Sequence, residues 1–543
     1  MATAAKIPRL GVAAVIRNQK GELLCGKRLA AHGHGTWQFP GGHLDFGETY
    51  FACAERETLE ETGLKVKAVK LVGVTNDIFE DVGKHYVTLF VACQMENPDA
   101  KPEVVEPDKC EGWYWITGTL VAKHHLETWP EKSVVVLEAR EFCSGATGRN
   151  AGHCKPDQWR GFLSYEKSFG TQSALQILKN EQQTFENLVN YVREEGVDCD
   201  LWVGDTLDVP MTAEVADQAR DIFERYQAAG GNVDHIKVTQ DPGEAARISR
   251  IKGARACYAW SAATLQPWKL TAAIMRRNLQ KGLDFNLQTW TTVRKVVPSS
   301  SSSSSSNKEN ASWVVQSDRG EIECARVVHA TNAYSAAIEP SLFGLVWPTP
   351  HMCNKVVPPG SFAGSKALQH SYGVLLPGGG LFSINPRCTA DGIVMVGGSN
   401  PGQRAFDAWL ERHPERRADD SFSGVGVVTD AVRDFADREL EGWAGAATGP
   451  GQLYDYSWSG IIGRSLDGVP LVGELPGLPG QWVCAGHNGH GMARTFTAAP
   501  GLVGLMAGRS WEDVGLPDPY QLTAERLSKL NGVRKGKAGP LPS

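Results

Sequence analysis

Apolar and polar residues alternate in blocks that change character once along the chain. Residues 10–17, LGVAAVIR, read as a strand, and after the polar turn NQKGE the stretch LLCGKR completes a predicted hairpin. HYVTLFVACQ alternates with period two over residues 85–94, and EGWYWI follows at 111–116. One prominent helix separates these strands. From residue 133 the texture differs: SVVVLEA is a continuous apolar run, the mark of a strand buried on both faces of a parallel sheet. A long helix is predicted over 172–196, containing ALQILKNEQQTFENLVNYVREEG. Eight serines, Ser299–Ser306, interrupt the strand-like VRKVV and SWVVQS and read as a disordered hairpin loop.

At 543 residues the chain exceeds one ordinary core, so two or more domains are expected. A net charge of -6 gives no reason to expect nucleic acid or an anionic membrane as partner, and no protein partner is readable. No apolar run reaches the length of a membrane span. The N-terminus, MATAAKIPRLGVAAVIR, lacks an apolar signal core, and a cytoplasmic location is expected. Twelve cysteines occur without a CxxC or a zinc spacing; Cys25, Cys53, Cys93, Cys257 and Cys484 sit in apolar runs and read as buried thiols.

Chemistry enters first at residues 42–64, GHLDFGETYFACAERETLEETGL. Glu57, Glu60 and Glu61 lie at i, i+3 and i+4 of a helix, so their carboxylates share one face. Carboxylates packed that closely repel unless a cation sits among them. Hard oxygen ligands suit Mg²⁺ or Mn²⁺, which bridge to substrate phosphates. Arg56 stands beside them, with Glu48 at the helix start as its partner. The other reading is a solvated acidic helix face. Against it stands the spacing, which matches G-x5-E-x7-R-E-U-x-E-E-x-G-U at every fixed position; chance gives this on the order of 10⁻⁸ per window. The segment resembles the Nudix box, with Thr58 in place of the usual bulky aliphatic residue. The resemblance runs over residues 8–116, through TWQFPGGHLDFGET and EPDKCEGWYW, and looks like the branch that hydrolyses nucleoside triphosphates to monophosphate and pyrophosphate. It implies Glu57, Glu60, Glu61 and the Gly42 carbonyl as metal ligands. It also implies a base among Glu57, Glu60 and Glu61, with Glu61 favoured, and Arg56 in the catalytic set.

Three later pieces point to a flavin. The strand SVVVLEA ends in Glu138, Ala139 and Arg140, where an acidic side chain can accept from a ribose hydroxyl. Ser144, Thr147, Gly148, Arg149 and Asn150 follow in SGATGRN, small residues that let backbone approach a cofactor. Next, a hairpin and an apolar strand in SDRGEIECARVVHATNAYS end at Ala330, Thr331 and Asn332. Last, WVCAGHNGHGMART brings Gly486, Gly489, His490, Gly491 and Met492 together after SGIIGRSLDGVPLVGE. In this order they resemble the D-amino-acid oxidase superfamily of FAD-dependent oxidoreductases, over about residues 118–510. The resemblance implies FAD, hydride transfer from an amine carbon, and hydrolysis of the imine by water. Amino-acid oxidases of the family carry an Arg shortly before the DG-x-P stretch; here that position is Ile462, and Arg464 lies nearby. A secondary or primary amine is therefore expected first and an α-amino acid second, with His487, His490 and Arg387 as pocket candidates.

The two resemblances collide at EGWYWITG. Gly118 stands 20 residues before Glu138, which fits the third glycine of G-x-G-x-x-G, and Ala122 and Leu126 fall where the following helix packs on its sheet. The first two glycines should be residues 113 and 115, and both are tryptophan. Losing two or three charge-assisted hydrogen bonds of about 1.5–3 kcal/mol each predicts FAD weakened by roughly 10²–10⁴-fold. The helix over 117–128 is also wanted by both domains. The expected architecture is α/β and multi-domain: a Nudix α/β/α sandwich, residues 8–117, then an FAD-binding Rossmann-like domain with an inserted antiparallel-sheet substrate domain, residues 118–510, and a tail, residues 511–543. Two rival readings stay open: a second module acting only as a scaffold, and a chain that joins two neighbouring reading frames.

Overall fold

The computed structural model describes residues 9–17, 24, 26–28, 37–45, 47–62, 64–79, 84–97, 110–111, 116–280, 285–299, 312–389, 392–443 and 453–535. The chain divides into two compact units, Met1–Gly112 and Trp113–Ser543.

The first unit begins with β1 (Arg9–Arg17), β2 (Gly26–Arg28), β3 (Trp37–Gln38), β4 (Gly41–His43) and α1 (Tyr50–Thr62). It continues through β5 (Val66–Phe79), β6 (Lys84–Met95) and β7 (Cys110–Glu111). A mixed sheet has the order β4-β1-β6-β5, with β1 and β6 parallel, and a small second sheet has the order β3-β2-β7. Period two is what places Val12, Ala14 and Ile16 on one face of β1, and there they pack against Cys53 and Ala54 of α1. Thr58 is buried in α1 and donates to the Ala54 carbonyl at 2.6 Å, so the unusual residue of the box is satisfied within its own helix.

Of the predicted first hairpin, the turn, Leu23 and Cys25 lie outside the described residues. β1 takes β4 and β6 as neighbours, whereas β2 pairs with β3 and β7; Leu24 N–H donating to the Ile16 carbonyl at 3.0 Å is the link between the two stretches. β4 pairs with Gly11–Ala13 on the edge of β1 that Leu24 also reaches at Ile16, and β6 takes the other edge from Arg9 to Arg17. The EGWYWI strand is seen as β7 alone; residues 112–115 lie outside the described residues, as do Cys25 and Ser300–Ser306.

The second unit opens with α2 (Ile116–Thr128), β8 (Val134–Leu137), α3 (Ala146–Arg149) and β9 (His153–Cys154). Then come α4 (Phe162–Phe169), α5 (Thr171–Glu194), β10 (Trp202–Pro210), α6 (Ala213–Ala228), β11 (Lys237–Thr239), α7 (Pro242–Ser249), β12 (Cys257–Thr264) and α8 (Pro267–Gln280). A middle stretch holds β13 (Phe285–Gln288), β14 (Val293–Pro298), β15 (Trp313–Ser317), β16 (Gly320–Cys324), β17 (Val327–His329) and the short α9 (Ser335–Ile338). The remainder carries β18 (Val346–Val357), β19 (Ser371–Leu376), β20 (Gly380–Pro386), β21 (Val394–Gly397), α10 (Pro401–Arg412), α11 (Gly426–Glu439), β22 (Leu453–Ser465), β23 (Leu471–Glu474), β24 (Gln481–Ala485) and α12 (Thr495–Met506).

A large sheet of order β11-β12-β10-β19-β20-β21-β18-β22, with β9 joined to β12, forms one layer. Tyr258 and Trp260 of this sheet bury against Val215, Ala219 and Tyr226 of α6, and its β19–β21 strands bury against Val432 and Phe435 of α11. The other layer is nucleotide-fold-like but divided: β13-β8 is one parallel pair and β17-β24-β23 a separate ladder. Leu120 and Val121 of α2 pack among Leu270 and Ile274 of α8 and Ala498 and Leu502 of α12, while Ala122 and Leu126 meet Val134 and Val136 of β8. The helix wanted by both domains is therefore a core element of the second unit.

SVVVLEA does form a parallel strand, but not one buried on both faces. Val135 is 38% exposed, and Val134, Val136 and Leu137 are half-buried. The physical reason is a missing neighbour: among the described residues β8 pairs with β13 alone.

Candidate functional sites

In the first unit α1 aims Arg56 and Glu57 back toward the β4 strand. The Arg56 guanidinium donates through Nε to Glu48 Oε1 at 2.9 Å and through Nη2 to Glu48 Oε2 at 3.0 Å. Its Nη1 donates to Glu57 Oε1 at 2.8 Å and to Glu60 Oε2 at 3.1 Å. Three carboxylates thus converge on one guanidinium, which holds the Glu48 carboxyl below its ordinary range and raises the Arg56 pKa through the Glu48 hydrogen bond. Gly42 is the wall of this cluster: a Cβ there would lie 2.2 Å from Glu57 Oε1. Glu61 sits in the last turn of α1, and its side chain lies outside the described residues. Among the described residues no group of three His, Cys, Asp or Glu side chains stands ready-made at metal-ligand spacing. The donor chemistry nonetheless fits a hard divalent cation, since Glu57, Glu60 and the Gly42 backbone supply oxygen alone.

In the second unit Glu138 ends β8 with its carboxylate buried, accepting the Arg140 N–H at 3.0 Å. Burial pushes its carboxyl up to about 8, against the pull of the Arg140 N–H, the Arg140 charge and the Ala139 N–H. Arg140 itself forms a two-pronged pair with Asp420, at 3.1 and 2.8 Å. In α3 a Cβ on Gly148 would lie 2.0 Å from the Cys143 carbonyl, so only glycine lets this turn close. Arg149 donates to the carbonyls of Ser144, Asp420 and Ser459 at 2.6, 2.7 and 3.1 Å. Asn150 caps the same turn through the carbonyls of Ala146 and Thr147, and Thr147 is buried. The hydroxyls of Ser144 and Ser459 are buried without a hydrogen-bond partner.

The glycine-dense loop lies against the end of β17. Asn332, two residues past Ala330, accepts the N–H groups of Gly486 and His487 at 2.9 and 3.2 Å. Thr331 hydrogen-bonds Ser335 at 3.1 Å instead of entering the loop. Gly486, Asn488 and Gly489 all have positive φ, 76°, 56° and 81°, and the Asn488 and His490 N–H groups donate to the Gly463 and His487 carbonyls. The Gly489 Cα faces Ile462 of β22, and Gly118 of α2 faces Ala330 at 3.8 Å, counted from the position of a Cβ in each case. Gly491 opens a short turn followed by the buried Met492. His490 pairs with Glu181 at 3.5 Å. His487 is buried, and desolvation with Arg494 nearby pushes its imidazole down to about 3.

Arg387 is a backbone clamp, donating to the Leu265 carbonyl at 2.7 Å. Arg464 pairs across the ladder with Trp347, as Ile462 does with Thr349 and Gly460 with His351, so these side chains share one face of β18–β22. Burial lowers the Arg464 pKa, Asp407 opposing, and among the described residues no carboxylate stands within ion-pair distance of it.

Asn488, Asp420, Glu181 and Arg494 were not singled out as flavin-site residues from sequence, and Asn332 was named only as the end of its strand. Glu181 and Arg494 are 313 positions apart and are signalled only by burial; the two asparagines are signalled by positive φ.

A family model described as FAD dependent oxidoreductase matches residues 116–503, and a NUDIX domain model matches residues 7–136. The second unit is similar in fold to glycine oxidase from Geobacillus kaustophilus, with TM-score 0.56 and 19% identity over 76% of this chain and 97% of that one. L-amino acid deaminase from Proteus vulgaris gives TM-score 0.55 and 16% identity over 76% and 95% of the two chains. L-alpha-glycerophosphate oxidase from Mycoplasma pneumoniae, with FAD bound, gives TM-score 0.51 and 11% identity over 75% and 96%. No helix among the described residues is long and apolar enough to cross a membrane.

Proposed function

The chain belongs to the FAD-dependent oxidoreductase family and carries a NUDIX domain ahead of it, and on that premise we propose two activities. The first is Mg²⁺- or Mn²⁺-dependent hydrolysis of a nucleoside di- or triphosphate by the first unit. The observation that carries it is the convergence of Glu48, Glu57 and Glu60 on Arg56 beside Gly42. Glu57, Glu60, Glu61 and the Gly42 carbonyl would hold the cation, which supplies positive charge to the substrate's phosphates. Arg56 holds the Glu57 and Glu60 carboxylates in place beside Gly42, and Glu61 is the residue we assign as base. Glu57→Gln and Glu60→Gln are each expected to lower metal-dependent release of pyrophosphate or phosphate at least about a hundredfold. Full turnover in the double variant refutes this reading.

The second activity is oxidation of an amine or amino acid by the second unit. A bound flavin supplies the hydride acceptor. Glu138 offers a desolvated acceptor to a ribose diol, and the 486–491 loop, pinned by Asn332, would bring glycine backbone close to the flavin ring. Ser144 and Ser459 contribute hydroxyls whose hydrogen bonding is otherwise unmet. His351, pushed to about 4 by burial and the Arg464 charge, stays uncharged at neutral pH and leaves Arg464 as the cation of that face. That face favours an amine that also carries an anionic group. Both substrates are small molecules, and the proposed location is the cytoplasm. Arg464→Gln is expected to raise KM for an amino acid about tenfold or more while leaving KM for a simple amine unchanged. Equal effects on both refute the anionic-substrate reading.

A further inference from the structure

Resting on the flavin reading above, we infer that the nucleotide sheet of the second unit is one parallel strand short. A flavin dinucleotide is accordingly held by its two ends alone, with its diphosphate ungripped. The strand edges show where the gap lies. Among the described residues β8 pairs only with β13, and β17 pairs only with β24, both in parallel, so each has a second edge with no strand against it. Helix α2 touches both half-sheets, through Ala122 and Leu126 on Val134 and Val136 and through Gly118 on Ala330. A helix that leads into a parallel strand normally returns from a neighbouring strand of the same sheet. α2 leads into β8, and among the described residues no such strand stands before it.

The chain ahead of α2 explains this. Cys110 and Glu111 pair with Arg28 and Lys27 in the first unit. Only four residues then separate Glu111 from Ile116. Four residues span at most about 14 Å, too short for a strand of ordinary length followed by a phosphate-binding turn. Two of the four are Trp113 and Trp115, standing where the fingerprint needs glycine. The consequence is visible in β8, whose apolar run is left with Val135 38% exposed. A strand flanked on both sides and covered by helices is buried. What survives is the ribose end at Glu138 and the ring end at residues 486–491.

The test strips the full-length protein of flavin and titrates it with riboflavin, FMN and FAD, reading flavin fluorescence. FMN is expected to bind within about threefold of riboflavin, because its phosphate meets no donors. FAD is expected to exceed FMN only by a margin that Glu138→Gln removes. FMN binding more than about tenfold tighter than riboflavin overturns the inference and leaves the flavin reading intact. Failure of all three flavins to bind overturns both. A second variant inserts about six strand residues after Gly112 together with Trp113→Gly and Trp115→Gly. It should tighten FAD by about 10²–10⁴-fold without moving riboflavin. An insertion that melts like the parent and leaves FAD affinity unchanged overturns the inference as well.

Discussion

Arg494→Met is the substitution that most directly tests how the glycine loop is held. Arg494 is 1% exposed and its partner Glu181 0%. The guanidinium donates to Glu181 Oε1 at 3.0 Å, to the His487 carbonyl at 3.2 Å and to the Tyr165 hydroxyl at 3.0 Å. The other Glu181 oxygen accepts the Asp157 N–H at 2.8 Å. Burial by itself raises the Glu181 pKa; the charges of Arg494 and His490 outweigh it and hold the carboxyl at about 2. Its contribution to stability is therefore full above the unfolded value near 4.5 and lost as pH falls toward about 2. Removing the guanidinium leaves a buried carboxylate with one backbone donor and a partly exposed histidine. One-sided loss of such a pair costs about 3–5 kcal/mol. For a unit the size of Trp113–Ser543 the unfolding entropy is about 0.9 kcal/mol/K, so its melting temperature should fall by about 3–6 °C. Calorimetry of the full chain reads this in the second unit's transition. Adding Glu181→Leu to Arg494→Met removes the stranded charge, and the double variant should melt above the single one. A drop of under about 1 °C for Arg494→Met, or a double variant that loses the sum of both singles, refutes the account.

Two further outcomes follow from close approaches and burial. At Gly373 a Cβ would lie 2.2 Å from Asp208 Oδ1 and 2.8 Å from Lys155 Nζ, whose own pair is 2.5 Å apart and nearly solvent-free. Gly373→Ala should therefore destabilise the second unit by about 2–4 kcal/mol in denaturant titration, and Lys155→Met with Asp208→Ala, which removes the atoms the new methyl would meet, should make the same alanine tolerable. Glu138 has a folded pKa of about 8 against 4.5 unfolded, because burial disfavours its charge. The folded state then binds the extra proton between those values, so the second unit should lose stability as pH rises from about 4.5 to 8. Glu138→Gln should flatten that part of its melting-temperature profile.

What was legible in the sequence tracks how local each interaction is. The Nudix box could be read because one helix turn places Glu57 and Glu60 beside Arg56, and Glu48 lies eight residues back. The ribose acceptor Glu138 was legible for the same reason, as the end of one apolar strand. The anchor of the glycine loop was not, because Asn332 reaches Gly486 over 154 positions and Arg494 reaches Glu181 over 313. Nothing in either local pattern distinguishes such residues from surface ones. The run SVVVLEA misled in an instructive way. Its composition suits a strand between two neighbours, and the exposure of Val135 is what that composition looks like when one neighbour is lost. The two family models overlap over residues 116–136, the stretch that holds α2 and β8. The chain supplies α2 once in that stretch. Its apolar residues are taken up by α8, α12 and β8, so the helix completes the flavoprotein core. β7, ahead of the seam, is taken up by the first unit's sheet. Each unit keeps the element whose partners lie in its own core, and the strand both would have needed between them has nowhere left to come from.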